Sequence, residues 1–127
     1  MTEKVSAKKS GPQLWNVAKL DELAPGERKF VEIKRHSIGL FNVNGEYVAA
    51  LNMCPHELAP VCKGRVGGTT LPSQPGEFIW GREGEILACP WHGWEFDLLT
   101  GQMLADERVR IRRYPVTIEG DDIFITV

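Results

Sequence analysis

Cysteine is scarce in this chain: only Cys54, Cys62 and Cys89 occur among 127 residues. An odd number cannot complete a disulfide framework, which excludes the usual small secreted scaffold and makes a reducing cytoplasm the expected compartment. Long apolar runs are also missing. Nothing approaches the roughly 20 residues a membrane-spanning helix needs, and the polar, lysine-bearing start Met1–Ser10 has no apolar core of an export signal. Neither membrane insertion nor secretion is expected. A positive excess is absent as well, since the formal net charge is -2, so nucleic acid is not an expected partner. Helical periodicity is nearly lacking. Its one candidate, Lys19–Leu23, is cut off by Pro25-Gly26 and is too short to stand without tertiary support.

Hydrophobic residues at 43% and charged residues at 25% are the proportions of a folded globular chain, and 127 residues suffice for one core. Residues 1–12 read as a flexible tail and 13–127 as a single domain. Strand signals dominate the domain. Lys29–Ile33 alternates; Ile38–Val43 and Tyr47–Leu51 flank Asn44-Gly45, a two-residue hairpin turn. Asn52–Gly68 is dense in Pro and Gly and predicts a loop. Phe78–Trp80 and Glu85–Ala88 flank Gly81–Gly84, predicting a second hairpin; Trp94–Asp97 and Val109–Ile118 predict further strands. Glu119–Asp122 then turns the chain into the alternating Ile123–Val127. The fold class is all-β.

The chemistry concentrates in two short segments. Cys54-Pro55-His56 pairs one thiol with one imidazole, and Cys89-Pro90-Trp91-His92 does so again after an interval of 32 residues, 57–88. Short spacings on proline-bearing loops let two side chains converge on one centre with little further ordering. Two such arms give four ligands, Cys54, His56, Cys89 and His92. Tetrahedral zinc accepts that donor set, but ordinary zinc fingers draw both cysteines from one arm and both histidines from the other. Mixed arms suit a [2Fe-2S] centre with two cysteines on one iron and two histidines on the other.

On these residues the chain resembles the Rieske proteins, whose two cluster loops look like Cys54-Pro55-His56-Glu57-Leu58-Ala59-Pro60 and Cys89-Pro90-Trp91-His92-Gly93-Trp94-Glu95-Phe96-Asp97. The turn Leu99-Thr100-Gly101 is similar to the family pattern too, and the resemblance extends over about residues 14–127. It implies a small antiparallel β sandwich or barrel framework carrying a cluster-binding subdomain made of two loops. It also implies one [2Fe-2S] cluster per chain and a one-electron carrier working between a flavin-dependent reductase and a terminal oxygenase or other redox protein. Two other readings stay open: a small subunit of a larger oxidoreductase, similar to that of nitrite reductase, and a structural zinc domain that binds another protein. Once the four ligands are assigned only His36 remains, so the chain has no complete catalytic site of the mononuclear two-histidine, one-carboxylate kind.

Departures from the family pattern place the chain within it. The respiratory branch ties its two loops by a disulfide, and the matching positions here are Ala59 and Trp91; the ferredoxin and oxygenase branch is the better likeness. That branch point also removes two hydroxyl donors, since Trp94 and Phe96 stand where respiratory proteins carry serine and tyrosine. The interval between arms is longer than usual, with the excess around Thr69–Gly84, read as a surface excursion. Cys62 reads as a packing residue, Trp91, Trp94 and Phe96 as a shield against water, and Arg108, Arg110, Arg112 and Arg113 as a solvated face.

Overall fold

The computed structural model describes residues 2–5, 13–55, 59–71, 79–90 and 93–127. Strands within it are β1 (Thr2–Val5), β2 (Leu14–Lys19), β3 (Arg28–Ile33), β4 (His36–Val43), β5 (Glu46–Leu51), β6 (Arg65–Leu71), β7 (Ile79–Ala88), β8 (Glu95–Asp97), β9 (Arg113–Tyr114), β10 (Val116–Glu119) and β11 (Asp122–Thr126). Single 3-10 turns stand at Leu20–Glu22 and Val61–Lys63. The first of them lies inside the one expected helical candidate.

Three sheets form, in the orders β1-β3-β4-β5-β9, β10-β11-β2 and β6-β7-β8. The five-stranded sheet is central because β4 is apolar along nearly its whole length and is buried from Ile38 to Val43. Alternate side chains of a strand point to opposite faces, so such a run needs a core on each side. Ile38 and Leu40 enter one core with Val17, Ile123 and Ile125 of the β10-β11-β2 sheet. Phe41 and Val43 enter the other with Leu87, Phe96, Cys54 and Cys89. Asn44 and Gly45, both at positive φ, make the tight β4–β5 turn that the Asn-Gly pair predicts. The all-β, largely antiparallel framework is as expected.

Four local expectations are corrected. Part of the tail, Thr2–Val5, is a strand paired parallel with β3, through main-chain bonds that need no side-chain pattern; residues 6–12 lie outside the described residues. The loop expected to run to Gly68 ends at Gly64 and β6 begins at Arg65, because Gly67 and Gly68 sit in a bulged ladder rather than a turn. The second hairpin is not folded at Gly81–Gly84: β7 is continuous through it, and residues 82–85 oppose Gly68 alone between the pairs Thr69↔Gly81 and Gly67↔Ile86. Arg82 and Gly84 do have positive φ, but as parts of that bulge, held by Arg82 bonds of 2.8 Å to both Glu85 and Asp97. The hairpin is instead β6–β7, and its connection, 72–78, lies outside the described residues. Finally, the strand expected over Val109–Ile118 is split by Pro115, which has no N–H: β9 pairs with β5 and β10 with β11.

Candidate metal centre

Both cysteine arms leave the ends of strands and close in the same way. After β5, the Cys54 N–H donates to the Ala59 carbonyl at 2.7 Å; after β7, the Cys89 N–H donates to the Trp94 carbonyl at 2.8 Å. Each loop is thus pinched shut between the cysteine and the residue five positions on. A second bond, Gly93 N–H to the Cys89 carbonyl at 2.9 Å, tightens the later loop, and Gly93 has φ +69, a conformation that excludes most side chains there. Cys54 and Cys89 are buried in one core cluster with Ala59, Leu87 and Phe96. The ladder pairs Ala88↔Glu95 and Leu87↔Phe96 hold the legs of the second loop.

The structure therefore brings Cys54 and Cys89 into one core, on loops whose closures enclose His56 and His92 in sequence. The placement of His56 and His92 lies outside the described residues, as does that of Trp91. Among the described residues no group of three or more His, Cys, Asp or Glu converges on a metal position, since two members of the expected set are the histidines. His36 is exposed at the start of β4, paired with Ile33. One cysteine and one histidine per closed loop, with both thiols in the same interior, is the donor set that a two-cysteine, two-histidine cluster takes, and the residues fit the group.

Cys62 shares that core but has another role. Its Sγ lies 3.5 Å from the Ala50 carbonyl, its N–H donates to Asn52 Oδ1 at 2.8 Å, and a Cβ on Gly39 would lie 2.8 Å from the sulfur. Burial pushes the thiol up to about 12, against smaller opposing effects from a Gly39 backbone hydrogen bond and the Arg28 charge. A pKa raised by folding contributes stability that is complete below the unfolded value near 9 and is lost as pH rises toward 12. The thermal midpoint should accordingly fall faster with pH in the wild type than in Cys62→Ala over that window, by up to about 1.4 kcal/mol of stability per pH unit. Parallel slopes in a thermal series from pH 8 to 11 would contradict it.

Phe96 is fully buried and Trp94 packs against the same core, in keeping with a shield. Arg108, Arg110, Arg112 and Arg113 are exposed, as a solvated face requires, with Arg108 held to Asp106 at 3.0 Å and Arg112 over the Tyr114 ring. Sequence reading missed Arg28 and Asn52, which bond the segment leaving the first loop; neither stands in a motif, and the sequence carries no signal for them.

A Rieske [2Fe-2S] domain model matches residues 13–115. The chain is 34% identical over 110 residues to the ferredoxin component of the naphthalene 1,2-dioxygenase/salicylate 5-hydroxylase systems of Ralstonia sp., covering 85% of this chain and 90% of that protein. Its fold is similar to the ferredoxin of carbazole 1,9a-dioxygenase from Nocardioides aromaticivorans IC177, with TM-score 0.68, 24% identity and 91% and 97% of the two chains covered. It is equally similar to a putative NADH-dependent nitrite reductase small subunit from Mycobacterium tuberculosis, with TM-score 0.69, 22% identity and coverage of 93% and 97%. With its two cysteine loops and most of its length matched, the chain belongs to the Rieske [2Fe-2S] domain family.

Proposed function

We propose that this chain is a one-electron carrier in which Cys54, His56, Cys89 and His92 hold a single [2Fe-2S] cluster. The observation that carries the reading is the pair of identically closed loops, each with one cysteine and one histidine, opening from one buried core. When bound, the cluster supplies one reversible electron. The protein's part is to exclude water and hold position: Leu87, Phe96 and Ala59 keep the thiols in a low-dielectric interior, while the two main-chain closures fix the loops.

Reductase-to-oxygenase transfer is the role that fits the likeness to a dioxygenase-system ferredoxin, and three cysteines with no disulfide among them favour a reducing cytoplasm as its place. Among the described residues no helix is long and apolar enough to cross a membrane. Large apolar side chains are exposed at both loops. Met53, 44% exposed, precedes Cys54; Leu104, 39% exposed, donates its N–H to the Glu95 carbonyl just beyond the second loop. This rim suits brief contacts of less than about 1,200 Å² with successive partners.

Anaerobic reductive titration of the purified protein, with iron and acid-labile sulfide measured on the same sample, tests the reading. It should take up about one electron per chain and contain about two irons and two sulfides. Zinc without sulfide would overturn it in favour of a structural domain.

A further inference from the structure

We propose that Arg28 and Gly64 form a pin that sets the separation of the two cluster loops, with Arg28 as a positioning residue that touches neither thiol. The proposal rests on the cluster assignment above. Its basis is the path of the chain between the loops. From Ala59 the first arm turns through Val61–Lys63 and reaches Gly64. There Arg28, on β3 of the central sheet, sends Nη1 to the carbonyls of Cys62 and Gly64, each at 2.6 Å. Its guanidinium carbon also lies 5.5 Å from the centre of the Phe41 ring, so the group is fixed on two sides.

Gly64 is where the first arm meets the second. Its φ of −73 is open to any residue, so backbone freedom is not what requires glycine. Space is: a Cβ there would overlap the Ala88 carbonyl oxygen, and Ala88 immediately precedes Cys89. The ladder pair Arg65↔Ala88 continues that contact. Asn52 holds the other end of the first arm, accepting the Cys62 N–H at 2.8 Å and donating to Ser37 Oγ at 3.3 Å. None of the three cysteines is in a disulfide, so the loops have no covalent tie. Arg28 presses the first arm against the central sheet, and Gly64 lets it lie directly on the second. Together they fix how far apart Cys54 and Cys89 stand.

The test compares the reduced holoproteins of the wild type, Arg28→Lys, Arg28→Met and Gly64→Ala by electron paramagnetic resonance, and their cluster loss to a chelator. Ile125→Val, in the opposite core, serves as a control for general destabilisation. Arg28→Met should shift the g values and lose its cluster at least about tenfold faster than the control, because two part-buried carbonyls lose their donor. Arg28→Lys keeps the charge but has a single donor head, so its spectrum should move in the same direction and less. Gly64→Ala should shift the spectrum through the second arm; if it does not load, the two Arg28 variants decide. A wild-type spectrum in every loaded variant overturns the pin, whatever the loss rates. A wild type without iron and sulfide would instead remove the cluster assignment itself.

Discussion

Replacing any one of Cys54, His56, Cys89 or His92 by Ala should abolish the cluster or leave it too unstable to survive purification, whereas Cys62→Ser should keep it. The contrast follows from where the three thiols sit. Cys54 and Cys89 open loops that are closed by their own N–H groups, so each sulfur is presented by a fixed backbone. Cys62 follows the loop in a 3-10 turn, with its sulfur against the Ala50 carbonyl and its thiol held protonated by burial. Its position behind the first loop's closure, with the sulfur turned to a main-chain carbonyl, is what sets Cys62 apart from the other two thiols. Cys62→Ser should cost about 1–3 kcal/mol of stability through a buried hydroxyl, while leaving iron, sulfide and visible absorption per folded chain unchanged. Normal loading in two of the four ligand variants would sink the assignment.

The sequence made the chemistry legible and the framework partly so. A cysteine and a histidine separated by one or two residues, on loops marked by proline, point locally to the Rieske family that the chain belongs to, and the Asn44-Gly45 pair marks its hairpin turn. What failed depended on partners distant in sequence. Gly81–Gly84 has the composition of a turn, but Arg82 reaches Asp97 and Asn44 Nδ2 donates to the Glu83 carbonyl, and these bonds make the segment a bulge in one long strand. Gly67 and Gly68 read as breakers because a window of sequence cannot contain the β7 ladder that accepts them. The same holds for Arg28, whose task is set by Cys62 and Gly64, more than 30 residues away. Local patterns report local structure; the brace between the loops is a tertiary fact.

The midpoint potential should lie near the low end of the Rieske range, on the order of −150 mV, and above the roughly −400 mV of plant-type ferredoxins. Two neutral imidazoles in place of two thiolates remove negative charge from the cluster, which sets the lower bound. The upper bound comes from hydrogen bonds to sulfur, because each donor stabilises the extra electron of the reduced state. Two hydroxyl donors are replaced by rings: Trp94 and Phe96 stand where the resemblance gives respiratory proteins hydroxyls, and the Phe96 ring is fully buried in the core that holds both cysteines. Among the described residues, five backbone N–H groups of this region are committed elsewhere. The N–H groups of Cys54, Cys89 and Gly93 are bonded to the carbonyls that close the loops, Cys62 N–H to Asn52, and Gly64 N–H to Val61. The bonds that give these loops their shape are therefore bonds that cannot also point at sulfur. A low potential is what these committed N–H groups and the two missing hydroxyls lead us to expect, and it suits a carrier that accepts electrons from a flavin. Protein-film voltammetry at neutral pH checks it, and a midpoint above about +100 mV, still inside the Rieske span, would show that the sulfurs have donors this arrangement does not supply.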